Sequence, residues 1–196
     1  MLRSFPGSIV AANSAARALT DEIKAGLFPE VADVVPGART LLVELIPGAE
    51  PSEALVRALA SDVALPQPRA GRRHEISVTY DGEDLAQVAT SCRMRPQDVV
   101  ELHSGAEYTV AFIGFQPGFP YLLGLPEELA VPRLASPRVK VPAGSVAIAQ
   151  EYTGIYPDAT PGGWRLIGRT EIVLFDPAST PPALLQPGDV VRFVPA

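Results

Sequence analysis

The sequence predicts two unlike halves, an α+β N-terminal domain of ferredoxin-like character followed by an all-β domain. Three observations carry that prediction. Residues 11–103 alternate between helical and strand periodicity. From Tyr108 onward, apolar strand-like runs are separated by proline–glycine turns. Between Phe115 and Arg169, the runs FQPGFPYLLGLP, PRVKVPAGSVAIAQ and TGIYPDATPGGWRLIGRT hold Gly and Pro too densely for any helix. Punctuation of that kind specifies backbone path rather than packing, and rigid loops on a sheet are common places for binding and catalysis.

The elements follow in order. Ala12, Ala15, Ala16, Leu19, Ile23 and Leu27 recur at helical spacing, and Gly26 is placed to stop that helix. Residues 31–35, the Pro36-Gly37 turn and residues 40–46 read as a hairpin. Ser52 suits the N-cap of a helix carrying Leu55, Val56, Leu59 and Val63. Ile76, Val78 and Tyr80 alternate with Ser77 and Thr79 as a half-buried strand, and helices over 84–91 and 96–103 follow. The order α-β-β-α-β is a split βαβ pattern whose opening strand is weak or missing. Only residues 5–10 could supply it, and Pro6-Gly7 spoils them. Residues 66–73, with two prolines and three arginines, read as a linker.

In the second half, strands are expected at 108–115, 145–150, 164–168, 171–175 and 190–194. Turns separate them at Pro117-Gly118, Gly162-Gly163, Asp176-Pro177 and Pro187-Gly188-Asp189. Many short strands so divided predict a closed or sandwiched antiparallel β-domain. The expected boundaries are 1–70 for the α/β domain, 71–104 for a strand and two short helices linking the domains, and 105–196 for the β-domain.

Composition narrows the function. With 47% hydrophobic and 19% charged residues, the chain has the balance of a folded globular protein. Its net charge of −6, and the lack of a basic patch interleaved with aromatics, make nucleic acid an unexpected partner. Cys92 is the only cysteine, so no internal disulfide forms, and a small buried apolar role suits it. Residues 8–18 include Asn13, Ser14 and Arg17 and resemble neither a signal peptide nor a membrane span, so a cytoplasmic chain without membrane partners is expected.

The long stretch YTVAFIGFQPGFPYLLGLP, PRLASPRVKVPAGSVAIA, TGIYPDATPGGWRLIGRT, LFDP and PGDVVRF resembles the B-subunit family of 5-oxoprolinase, also called allophanate hydrolase subunit 1. That family includes a sporulation kinase-A inhibitor. The resemblance runs nearly unbroken over residues 103–195 and more loosely through VADVVPGARTLLVEL. MLRSFPGSIV departs from the Gly-Asp-Arg/Ser-Ala-Leu strand with which such proteins usually begin. The resemblance implies a cyclophilin-like barrel for residues 105–196, with no transfer of prolyl isomerase activity. It also implies a sister protein of the 5-oxoprolinase C-subunit kind, which completes a cleft, and a third protein of the A-subunit kind. Together these would carry out ATP-dependent opening of 5-oxoproline to glutamate. A kinase-inhibitor role and an allophanate- or urea-related hydrolase or carboxyltransferase role are the other activities found among such proteins.

Opening a five-membered lactam at neutral pH needs a better electrophile, commonly made by phosphorylating the amide oxygen. Neither G-x-x-x-x-G-K-[ST] nor G-x-G-x-x-G occurs, so ATP is expected to be shared with or supplied by partner subunits. His74 and His103 stand too far apart for a two-histidine zinc motif, and no metal site is expected. His103, Lys140 and Tyr156 are the catalytic candidates. His103 suits either a helix C-terminal cation or an acid–base group, whereas His74 reads as a surface residue. Lys140 sits between Val139 and Val141 on an apparent strand, and with Arg138 and Ser145 it could cradle a carboxylate or phosphate. Ser145 lacks a nucleophile elbow, so a turn-orienting hydroxyl is its simpler role. Tyr156 is placed to line a pocket, whereas Trp164 suits core filling first and substrate binding second. Phe115, Phe119 and Tyr121 around Pro117-Gly118 form an aromatic stripe that suits a ligand wall or a subunit interface.

Overall fold

The computed structural model describes residues 1–26, 28–60 and 71–196. It divides into two units, Met1–Ala70 and Gly71–Ala196. The first contains β1 (Leu2–Ser4), α1 (Ile9–Ala25), β2 (Val31–Pro36), β3 (Thr40–Leu45) and α2 (Glu53–Ala60). The Ser8 hydroxyl accepts the Ala11 N–H and starts α1, and the Gly26 N–H closes it on the carbonyls of Glu22 and Ile23. One face of α1, holding Ala12, Ala16, Leu19 and Ile23, packs with Val34, Leu41 and Leu55. On the same helix, buried Asn13 donates to the Gly37 carbonyl at 3.0 Å and pins α1 to the hairpin turn. The Ser52 hydroxyl accepts the Leu55 N–H at the start of α2, as its position suggests.

The opening strand lies at Leu2–Ser4 and not within residues 5–10; it pairs antiparallel with β3. Three residues are too few to show alternation, and Pro6 with Gly7 at φ 97° turns the chain out of the sheet into α1. The sheet order is β1-β3-β2, and a ferredoxin-like sheet would add a fourth strand beside β1. The strand expected to fill that place pairs elsewhere, so among the described residues this unit is a three-stranded sheet with helices. The expected linker at 66–73 lies, up to residue 70, outside the described residues, as does Val63.

The second unit contains β4 (Arg73–Val78), α3 (Leu85–Cys92), α4 (Pro96–Gly105), β5 (Tyr108–Ile113), β6 (Pro120–Leu123) and β7 (Arg138–Val141). It continues with β8 (Ser145–Ala149), β9 (Tyr152–Ile155), β10 (Thr160–Gly162), β11 (Arg165–Arg169) and β12 (Val190–Pro195). Seven strands form one sheet in the order β11-β8-β9-β6-β5-β12-β4, and β7 pairs with β10 in a separate ribbon. β4 runs parallel to β12 over its whole length, so residues 71–104 pack within this unit. The sheet closes where Thr79, just past β4, and Arg169 of β11 exchange two backbone hydrogen bonds of 2.9 Å. Val110, Leu122, Val146, Ile148, Val191 and Phe193 fill the interior, and α3 and α4 add Val88, Ala89 and Val99 to the same cluster.

Residues 171–175 do not form the strand expected of them. Their alternation records burial alone, with Leu174 in the core and Val173 exposed, and only Phe175 makes an isolated bridge, to Ala183. Conversely, β6, β9 and β10 lie in proline- and glycine-rich stretches where no strand was expected. Gly154 of β9 shows why: a Cβ there would stand 2.8 Å from the Pro120 carbonyl and 3.2 Å from the Phe119 ring.

The seam also requires a glycine. A Cβ at Gly168 would stand 2.7 Å from the Thr79 oxygen and 2.9 Å from Val78 Cγ1. Gly168→Ala is expected to destabilise the chain by about 1–3 kcal/mol. Urea unfolding followed by tryptophan emission measures it, and an unshifted midpoint would show that the seam tolerates a side chain.

Candidate functional site

The hairpin tip between β5 and β6 begins the site. The Gly114 N–H donates to the Phe119 carbonyl at 3.1 Å and the Phe119 N–H to the Gln116 carbonyl at 3.1 Å, closing a tight tip. Within it Phe115 takes φ 68°, an uncommon conformation for a bulky residue. That geometry leaves Phe115 61% exposed, while Phe119 is buried. Phe119 is the hub of an edge-to-face cluster, with the rings of Phe115, Tyr121, Tyr156 and Trp164 centred 5.0–5.5 Å away. Gly162 lies directly on the Tyr156 ring, where any Cβ would overlap the phenol.

These five aromatic side chains wall a cavity of about 280 Å³. Arg133, Pro137 and residues 161–163 complete its lining. The stripe therefore joins Tyr156 and Trp164 in one concave wall. Pro117 and Gly118 support that wall without lining it: Gly118, at φ 77°, backs onto Leu174 and Phe175.

The polar groups of the cavity are few. Burial raises the Tyr156 phenol above its ordinary value against the opposing pull of the Trp164 backbone and two arginines, and burial likewise raises Tyr121. Both phenols are therefore protonated hydrogen-bond donors at neutral pH. The nearby Arg133 charge pulls in the opposite direction on both. Its guanidinium lies over the Trp164 ring, 5.9 Å from the centroid.

The cations expected to form a cradle separate. Arg138 Nη2 holds Asp84 Oδ1 at 2.7 Å, and Arg138 Nε reaches Glu83 at 3.3 Å. Asp84 is buried and its other oxygen accepts the Leu166 N–H at 2.7 Å, so this pair ties α3 to β7 and β11. Lys140 is exposed on the β7–β10 ribbon, as is Val139 beside it, and lies outside the cavity lining. Ser145 is buried on β8, also away from the cavity.

His103 is fully buried in the barrel and does not line the cavity. The Thr153 hydroxyl donates its only proton to the Ala147 carbonyl at 3.0 Å, so it accepts from His103 Nε2 at 2.9 Å. Nδ1 then accepts the Tyr80 hydroxyl at 2.8 Å. Stacked on Phe193 with a centroid separation of 4.6 Å, the imidazole is kept neutral by burial, its pKa lowered to about 3. Of the two roles open from sequence, a helix-end cation or an acid–base group, the first is corrected: the imidazole is a neutral core residue. His74 is no free surface residue either: its Nε2 meets buried Asp189 at 3.0 Å.

Arg133, Pro137, Pro161, Gly162 and Gly163 are the lining residues that sequence reasoning did not assign to the site, the two glycines being read only as a turn. The signal lay in composition, because PRLASPR and TPGGW belong to the same proline- and glycine-rich region as the aromatic tip. Among the described residues, no group of three or more His, Cys, Asp or Glu could hold a metal ion, and no helix is long and apolar enough to cross a membrane.

Comparisons place this geometry among known proteins. A family described as carboxyltransferase domain, subdomain C and D, matches residues 2–185. The chain is similar to the 5-oxoprolinase B subunit of Escherichia coli O157:H7, 51% identical over 86% of this chain and 79% of that protein. Two further proteins of that name are matched over 51% and 60% of their own length. The crystal structure of TTHA0988 matches all of this chain with a TM-score of 0.87 and 40% identity, over 39% of its own chain. The K. lactis urea amidolyase shares the fold, with a TM-score of 0.72 at 19% identity over 98% of this chain and 14% of its own.

His103 has a measurable signature. Its folded value lies below the ordinary 6.5, so as pH falls the unfolded chain takes the proton first. Stability from this group is complete above 6.5 and is lost as pH falls toward 3, by up to about 1.4 kcal/mol per pH unit. Urea titrations between pH 7 and 5 are expected to show that loss in the native chain and a flatter profile in His103→Gln. Parallel profiles would rule out the neutral core histidine. Arg138→Ala is expected to lower the unfolding midpoint, because it leaves Asp84 buried without its ion pair; an unchanged midpoint would count against the clamp.

Proposed function

Since the chain belongs to the carboxyltransferase-domain family, subdomains C and D, and within it to the B-subunit group of 5-oxoprolinase, we propose that it contributes the aromatic wall of the site at which a 5-oxoprolinase complex opens 5-oxoproline to glutamate. The observation that carries the reading is the small cavity walled by Phe119, Tyr121, Tyr156 and Trp164 in a chain of this family. Aromatic faces suit a flat lactam ring, and their burial excludes water from it. A sister protein closes the cleft from the open side. The phenol of Tyr156 stays protonated and donates a hydrogen bond to the lactam oxygen, favouring charge that develops there as water adds to the carbonyl carbon. ATP, shared with or supplied by the partner proteins, would pass its γ-phosphoryl group to that oxygen with release of ADP, and hydrolysis of the phosphorylated intermediate would release phosphate, making the opening favourable overall. Water supplies the oxygen of the new carboxylate, and the ring nitrogen leaves as the amine.

The test is reconstitution with the sister proteins and measurement of 5-oxoproline-dependent ATP hydrolysis. Tyr156→Phe is expected to lower kcat on the order of tenfold, the value of one hydrogen bond, with the fold intact. Unchanged turnover would remove Tyr156 from the reaction. An inert reconstituted set, in a chain that instead binds a histidine-kinase dimerisation domain, would replace the enzymatic reading with a regulatory one.

A further inference from the structure

We propose that Arg133 recognises the carboxylate of the ligand and sets the specificity of the aromatic cavity for small cyclic amides that carry an acid group. This rests on the reading of the cavity as substrate-facing and adds the group that selects among substrates. Of the three cations Arg133, Arg138 and Lys140, only Arg133 lines the cavity. Arg138 is engaged by Asp84, and Lys140 stands on the exposed ribbon. Among the described residues Arg133 makes no ion pair; its partner is the face of Trp164. A guanidinium resting on an indole keeps its edge free, and that edge presents paired N–H donors to a planar carboxylate. The remaining lining is aromatic, proline and glycine, with phenols as the hydroxyl donors. The cavity is thus cationic at its rim and apolar along its walls. Its complement is a flat ring with an anionic carboxyl at one end and a hydrogen-bond acceptor at the other.

Two measurements on the native chain and two variants, Arg133→Gln and Arg133→Lys, decide it. In the reconstituted complex, Arg133→Gln is expected to raise KM for 5-oxoproline by on the order of tenfold to a hundredfold, with kcat little changed. Arg133→Lys is expected to recover part of that loss. The carboxamide analogue of 5-oxoproline is expected to be handled equally by the native complex and Arg133→Gln. An unchanged KM, or an equal loss for acid and carboxamide, overturns the assignment. Trp164 is the only tryptophan and gives a readout independent of turnover. Titrating the full chain with 5-oxoproline is expected to change its emission saturably in the native protein and not in Arg133→Gln. That result sustains the inference even where the complex turns nothing over and the enzymatic reading has failed. No emission change with the acid, or the same change in both proteins, overturns it.

Discussion

Everything in the second unit depends on one residue pair. Seven strands leave two open edges, and Thr79 and Arg169 join them through reciprocal backbone hydrogen bonds. Closure removes edges that would otherwise pair with another chain, and it encloses the core around Ile148, Val191 and Phe193. The junction is reinforced just beyond it. The Asp84 N–H donates to the Leu166 carbonyl, while its carboxylate accepts from the Leu166 N–H and from Arg138. One buried acid therefore fixes the first turn of α3, the run of β11 and the start of β7. Pro137, on the cavity rim, directly precedes the clamped arginine. The path from barrel closure to site geometry is thus short and covalently continuous.

How much of this was legible in the sequence follows from what periodicity records. It reports burial, so α1, α2, α3 and α4 were readable from their spaced apolar residues and caps. It does not report hydrogen bonding. Residues 171–175 alternate in burial without pairing as a strand, and β9 pairs on both sides without a strand-like sequence. A glycine inside a strand looks like a turn until the ring that needs its space is known, and Phe119 and Trp164 are those rings for Gly154. The three-residue β1 is below the length at which any period exists. The fourth strand of the expected ferredoxin-like sheet was read correctly as a strand, but its partner, β12, stands more than a hundred residues away in sequence.

The site divides along the same line. Phe115, Phe119 and Tyr121 could be read as a stripe and Tyr156 as a pocket residue, because proline–glycine loops leave the backbone few alternatives, but their meeting in one wall could not. The cations could not be sorted. Arg133, Arg138 and Lys140 look equivalent in PRLASPRVK, and only their partners distinguish an indole face, a buried carboxylate and open solvent. His103 misled for a related reason. A histidine at a helix end suggests positive charge, yet the tertiary environment of Tyr80, Thr153 and Phe193 is assembled from three other segments.

The hydrogen bonds around His103 all point one way, from the Tyr80 phenol through the ring to Thr153 and on to the Ala147 carbonyl. The side chain best suited to shuttling protons is thereby spent as an internal rivet. No aspartate, glutamate or histidine is among the described residues that line the aromatic cavity. On the proposed reading, a general base would come from outside this described lining. On the proposed reading the aromatic wall would hold a ring and donate hydrogen bonds to it, while the imidazole closest to the barrel core serves packing alone.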